Sequence, residues 1–137
     1  MKKIGLLLAL FMALISCSNN DSDDKTLSAD YFGKWELFMD NKYVETSIKP
    51  ELFYVFNTDN TFVKTSIQEG VTTTALGTFA VLANEQGRNF TLSYNKYSSI
   101  ITNCDSSLTE NLFLDKSGYL SPILIYCDSF EKYKKAK

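Results

Sequence analysis

The sequence predicts an all-β fold, a small eight-stranded antiparallel up-and-down β-barrel, on three observations. Apolar and polar residues alternate with a period of two through most of the chain beyond residue 27. Turn-forming Asn, Asp, Gly and Ser recur every eight to twelve residues between these runs. The 10 Phe, 8 Tyr and single Trp, with frequent Thr, Val and Ile, suit a pleated, half-buried surface. A sandwich satisfies the same signals, but short connections pair each strand with its successor, which favours a meander closed into a barrel.

The elements follow in order. Ser28 can cap a short helical turn through Tyr31, and Lys34 to Met39 is the first extended run. Asp40 to Pro50 is the longest connection, a loop expected to cover one barrel end, although Tyr43 to Ile48 could form a short edge strand. Leu52, Tyr54 and Phe56 then share one face, Asn57 to Asn60 turn, and Thr61 to Gln68 returns as the second arm of a hairpin. Glu69 and Gly70 turn tightly into Val71 to Ala83, where Gly77 marks a bulge or sharp bend. After a turn at Asn84 to Arg88 comes Asn89 to Tyr94. Asn95 and Lys96 fit a two-residue turn, setting Tyr94 beside Tyr97 at the start of a sixth strand, Tyr97 to Cys104. Asn111 to Asp115 and Tyr119 to Asp128 complete the set, joined by a three-residue loop whose Gly118 supplies a left-handed residue. No helix of useful length appears unless the tail Ser129 to Lys137 coils.

The first 16 residues are of another kind. Lys2 and Lys3 precede an apolar run from Ile4 to Ile15, too short for the roughly 20 residues that span a bilayer but suited to a signal-peptide core. Leu14, Ile15, Ser16 and Cys17 resemble the lipobox of bacterial lipoproteins, which implies acylation of Cys17 and anchoring in a membrane. Three regions result: a lipoprotein signal peptide at 1–16, a lipidated cysteine with a disordered acidic tether at 17–26, and the barrel domain at 27–137. The tether contains no apolar residue, and as a flexible coil of nine residues it reaches roughly 17 Å. Its aspartates also resemble an export signal of outer-membrane lipoproteins, so the expected location is the outer membrane, at its periplasmic face or the cell surface; a solvated spacer accounts for the same residues. A calcium loop is disfavoured, since Thr26 and Phe32 stand where glycine and glutamate are needed.

Charge and composition exclude several functions. The chain has 14 Lys and Arg against 16 Asp and Glu, and loss of Lys2 and Lys3 leaves 12 against 16, a formal charge of −4. With Arg88 the only arginine, nucleic acid is not an expected partner. The absence of histidine removes the usual proton carrier near neutral pH and the commonest metal ligand. No metal, cofactor or catalytic residue is expected. Most carboxylates, Glu110 among them, fall at predicted turns or strand ends, and only Glu36 and Glu51 form a wall-facing pair, with Glu36 facing outward if Trp35 faces in.

Beyond residue 27 the chain resembles a bacterial lipocalin-like domain of the calycin type. The resemblance rests on Gly33, Lys34 and Trp35 after a short turn, on the hairpin from Phe56 to Phe62, and on Gly77, Thr78 and Phe79. It implies that Gly33 and Trp35 form a barrel-end motif and that the barrel binds a small apolar or amphipathic molecule. The family's arginine on the last strand, stacked on the tryptophan, has no counterpart here. An eight-stranded barrel either fills with its own side chains or holds one small ligand. Phe53 or Tyr54, Phe62, Phe79, Phe90 and Phe113 compete for the interior, and Tyr54, Phe62, Phe79 and Phe90 are the candidate ligand-lining residues.

Cys104 and Cys127, an even pair in an exported domain, are expected to form a disulfide. On the strand assignment above they sit on next-nearest strands, roughly 9.5 Å apart, so the short strand between them must stop early. Two functions remain open: a lipid-anchored barrel holding a small apolar ligand, or an envelope interaction module whose filled barrel meets a protein or glycan through its loops. The tail lysines Lys132, Lys134, Lys135 and Lys137 are either a solvated terminus or a contact for anionic head groups.

Overall fold

The structure is a computed structural model that describes residues 30–38, 51–123 and 131–137. The chain divides into two units, Met1–Asp30 and Tyr31–Lys137, the second of which carries the fold. Eight antiparallel strands close into a barrel in sequence order, β1-β2-β3-β4-β5-β6-β7-β8, with β8 pairing back onto β1. They are β1 (Gly33–Phe38), β2 (Glu51–Phe56), β3 (Thr61–Gln68), β4 (Val71–Asn84), β5 (Gly87–Tyr94), β6 (Thr109–Asp115), β7 (Tyr119–Pro122) and β8 (Lys132–Lys135). No helix occurs among the described residues.

The up-and-down barrel and its eight strands agree with the sequence reading, but two strands are not the expected ones. Tyr97 to Cys104 is not a strand: residues 95–108 form a connection between β5 and β6. The eighth strand is instead Lys132–Lys135, where lysines flank Tyr133, whose ring is fully buried. One inward tyrosine in an otherwise charged tetrapeptide gives no recognisable alternation, so the closing strand is chosen by tertiary pairing with β1 and β7. Tyr94 and Tyr97 are accordingly no cross-strand pair, since Tyr94 is buried inside and Tyr97 is 67% exposed.

The interior is built from alternate residues of every strand. Trp35, Tyr54, Phe56, Phe62, Phe79, Phe90, Leu92, Leu112, Leu120 and Tyr133 form one buried cluster. Alternation settles two open positions: Tyr54 faces in and Phe53 out, while Phe113, beside the inward Leu112, faces out. β4 is shared between two neighbours, pairing with β3 through Thr78 and with β5 from Gly77 onward. At the changeover a Cβ on Gly77 would lie 2.0 Å from the Ser93 carbonyl oxygen and 2.8 Å from the Phe62 ring. Glycine is required there because two strands and a ring converge on one point.

The two ends of the barrel differ. At one end the hairpins 57–60, 85–86 and 116–118 are short, and Gly118 adopts φ +81°, the left-handed conformation its loop needs. At the other end β1, β5 and β7 finish and β2, β6 and β8 begin, so every long connection leaves and returns there.

Candidate functional site

The short-hairpin end is sealed by the turn preceding β1. The Trp35 indole Nε1 donates to the Tyr31 carbonyl at 2.8 Å. This holds the Tyr31 ring edge-on to Phe90 and Phe79, with centroids 5.3 and 6.1 Å apart. Phe32 packs beside it, and the Arg88 guanidinium lies 5.2 Å from the Tyr31 ring centre. Gly33, at φ +105°, lets the chain swing from this plug into β1. Arg88 belongs to β5 rather than to the predicted turn, and its side chain is buried at this end.

The four candidate lining residues, Tyr54, Phe62, Phe79 and Phe90, are all brought together inside the barrel, where they touch other core rings. Phe56 stacks on Tyr54 at 5.9 Å and meets Phe79 and Phe90 at 4.9 and 5.2 Å. Phe62 meets Tyr94 edge-on at 4.9 Å, and Tyr54 meets Tyr133 edge-on at 4.8 Å. Such edge and offset contacts are the favoured geometry of packed aromatic cores.

Toward the end with the long connections the core turns polar. Lys64 on β3 and Glu110 on β6 form an ion pair with both side chains fully buried, the Lys64 Nζ lying 3.1 and 3.2 Å from the two carboxylate oxygens. Tyr54 donates its hydroxyl to one oxygen at 2.5 Å, and Tyr94 donates to the other. Lys64 also donates to Thr102 Oγ1 at 2.8 Å and lies 4.9 Å from the centre of the Tyr54 ring. Glu110 thus accepts four hydrogen bonds, about the full capacity of a carboxylate, and Lys64 uses all three of its protons. Among the described residues no buried side-chain nitrogen or oxygen lacks a partner. Thr102 is delivered by the 95–108 connection, whose Ile100 and Ile101 pack against the core.

Sequence reasoning missed this cluster. Glu110, expected among solvated turn carboxylates, lies on β6, which begins at Thr109 rather than Asn111. The signal was present in the alternation: an inward Phe62 carries Lys64 inward, Phe90 carries Leu92 and Tyr94, and Leu112 carries Glu110. Glu36 and Glu51 both face outward, where Lys34 reaches them at 2.7 and 3.8 Å, so they form no carboxylate pair inside the barrel. Cys104 lies in the 95–108 connection rather than at a strand end, which removes the spacing of next-nearest strands as an obstacle to a bridge. Cys104 is not a free thiol, while Cys127 and Cys17 fall outside the described residues, as does the connection Asp40 to Pro50.

Burial and the neighbouring Glu110 charge push the Tyr54 and Tyr94 hydroxyls far above the ordinary phenol range, and burial with Glu131 does the same to Tyr133. Burial lowers Lys64, against the opposing pull of Glu110. The consequences for stability have opposite signs. A lysine lowered in the fold adds stability as pH rises toward its unfolded value, an effect complete by about pH 10.5. Tyrosines raised in the fold keep their protons when the unfolded chain loses them, so their contribution falls once pH passes about 10. Each costs about 1.4 kcal/mol per pH unit, and three together about 4 kcal/mol per unit. Urea unfolding followed from about pH 9 to about pH 11 should show this steep loss; a flat profile over that range contradicts the buried tyrosine cluster.

The arrangement therefore holds its protons in place by hydrogen bonds within the cluster. Among the described residues no group of three Cys, Asp or Glu side chains is placed to hold a metal ion. Comparison with protein-family models, with curated proteins and with solved structures found no match to the chain.

Proposed function

We propose that this chain is a lipid-anchored module of the bacterial cell envelope whose filled, lipocalin-like barrel meets a protein or glycan through the loops at one end. The observation that carries this reading is the interior itself, where ring packs on ring and the one polar cluster is saturated by its own members. A barrel spent on self-packing serves as a rigid mount, and its long connections become the working surface. Tyr97, in the 95–108 connection, is a strongly exposed aromatic at that end. Acylation of Cys17 would fix the module to the outer membrane, and a Cys104–Cys127 bridge would stiffen the same end by roughly 3 kcal/mol in the chain-entropy treatment.

Two measurements test this reading. Radiolabelled palmitate should enter the wild-type chain and not Cys17→Ser. A photo-crosslinking residue at Tyr97 should capture a cell-envelope component in intact cells, whereas the same residue at Leu82, exposed near the short-hairpin end, should not. Equal capture at both positions, or at neither, contradicts the loop assignment.

A second reading, a barrel that binds a small amphipathic molecule, is favoured by the Lys64, Glu110, Tyr54 and Tyr94 cluster. Convergent polar groups in an apolar interior are a recurrent feature of ligand sites. Such a ligand would compete with Thr102 for the Lys64 ammonium.

A further inference from the structure

The outer wall of the barrel is chemically lopsided. On four successive strands, β7, β8, β1 and β2, three aromatic rings each carry a lysine. Lys34 Nζ lies 4.2 Å from the centre of Phe53, Lys134 lies 5.7 Å from Phe38, and Lys132 lies 5.8 Å from Tyr119. The Phe38 and Tyr119 rings are themselves 5.7 Å apart, and Phe38 is 41% exposed. Register explains the pattern, because Tyr119 pairs with Lys134, Lys134 with Glu36, and Lys132 with Phe38 across the strands. The acids of this face among the described residues, Glu36 and Glu51, are held by Lys34. Lys132 and Lys134 make no salt bridge among the described residues. The opposite wall differs, since the outward positions from Thr72 to Leu82 on β4 and from Asn89 to Ser93 on β5 carry no charge.

We propose that the β7–β8–β1–β2 wall is a docking surface for the anionic head-group layer of the membrane to which the protein is anchored. This rests on the lipid-anchored reading above. An exposed ring and two half-buried ones with lysines over them are the chemistry of a membrane interface, where rings settle at head-group depth and ammonium groups reach lipid phosphates. The cation–ring contacts hold the lysine heads in place before binding, which lowers the ordering cost. The same contacts argue against a sugar stacking on these rings, because an ammonium already lies against each of them. An anchor at Cys17 would add effective concentration, with 15 residues between it and Gly33, so a weak surface suffices.

The test uses the mature protein purified from bacterial cells expressing the full chain and reconstituted into vesicles of phosphatidylcholine alone or mixed with phosphatidylglycerol. It is treated with an amine-acetylating reagent, and each lysine is read by mass spectrometry. Lys132 and Lys134 should label several-fold more slowly on the anionic vesicles at low salt and recover in high salt, while the exposed Lys96 and Lys116 label alike on both. Equal labelling of Lys132 and Lys134 on the two vesicles overturns the docking surface. Flotation in high salt separately reads the anchor: protein that floats but labels equally refutes docking alone, and protein that leaves the vesicles in high salt refutes the lipid-anchored reading.

Discussion

Glu110→Ala is expected to destabilise the barrel by about 3–5 kcal/mol, because it leaves the Lys64 ammonium buried without its counter-charge. The Tyr54 and Tyr94 hydroxyls lose their acceptor at the same time, each an added cost of about 1–3 kcal/mol if water does not enter. Small domains have about 5–15 kcal/mol in all, so this variant should be near the limit of folding. The fourfold replacement Lys64→Met, Glu110→Leu, Tyr54→Phe and Tyr94→Phe removes the polar groups together and should recover most of the loss, as apolar substitutes for buried ion pairs often do. Urea denaturation of the two proteins decides it. A loss below about 1 kcal/mol for Glu110→Ala would mean that the ammonium is not buried in solution.

Gly77→Val is expected to cost at least about 3 kcal/mol or to prevent folding, because its Cβ would be driven into the Ser93 carbonyl. Neither β4 nor β5 can yield without breaking the pairing of Gly77 with Tyr94, and the Phe62 ring blocks the inward side. Even Gly77→Ala should be severely destabilised, in contrast with Gly118→Ala, where a Cβ meets open space and the cost is that of a left-handed backbone, roughly 1–2 kcal/mol. Thermal unfolding of both alanine variants is the comparison to make; equal midpoints would show that the strand changeover at Gly77 is looser than described.

The fold was legible in the sequence where alternation and turn chemistry acted together. Leu52 to Phe56, the Asn57–Asn60 turn and Gly118 each carry a local signal that agrees with the tertiary structure. Gly77, expected at a bulge or bend, sits in uninterrupted register with both neighbours and is required instead by the close approach of Ser93 and Phe62. It was not legible where a strand is specified by its neighbours. Lys132–Lys135 has a single inward ring, and it becomes a strand because β1 and β7 both offer unpaired edges. Tyr97 to Cys104 has ordinary strand composition, yet residues 95–108 are taken up in covering the barrel end and delivering Thr102 to Lys64.

The polar cluster was hidden for a related reason. A lysine or glutamate in a strand ordinarily marks the solvent face, and only cross-barrel proximity, between residues 46 apart in the chain, makes burial of both tolerable. Strand boundaries mattered as much: one placed two residues late left Glu110 in a turn. The aromatic residues proposed to line a pocket were correctly placed inside, but composition does not show whether rings meet a ligand or one another.

The functional proposal depends on a filled interior, which native mass spectrometry of the protein purified gently from its own host can check. The expected result is the mass of the chain with its covalent modifications alone, unchanged by denaturation and with no uptake from a panel of fatty acids and other apolar molecules. A discrete non-covalent mass that is lost on denaturation would contradict it and move the function to the interior of the barrel.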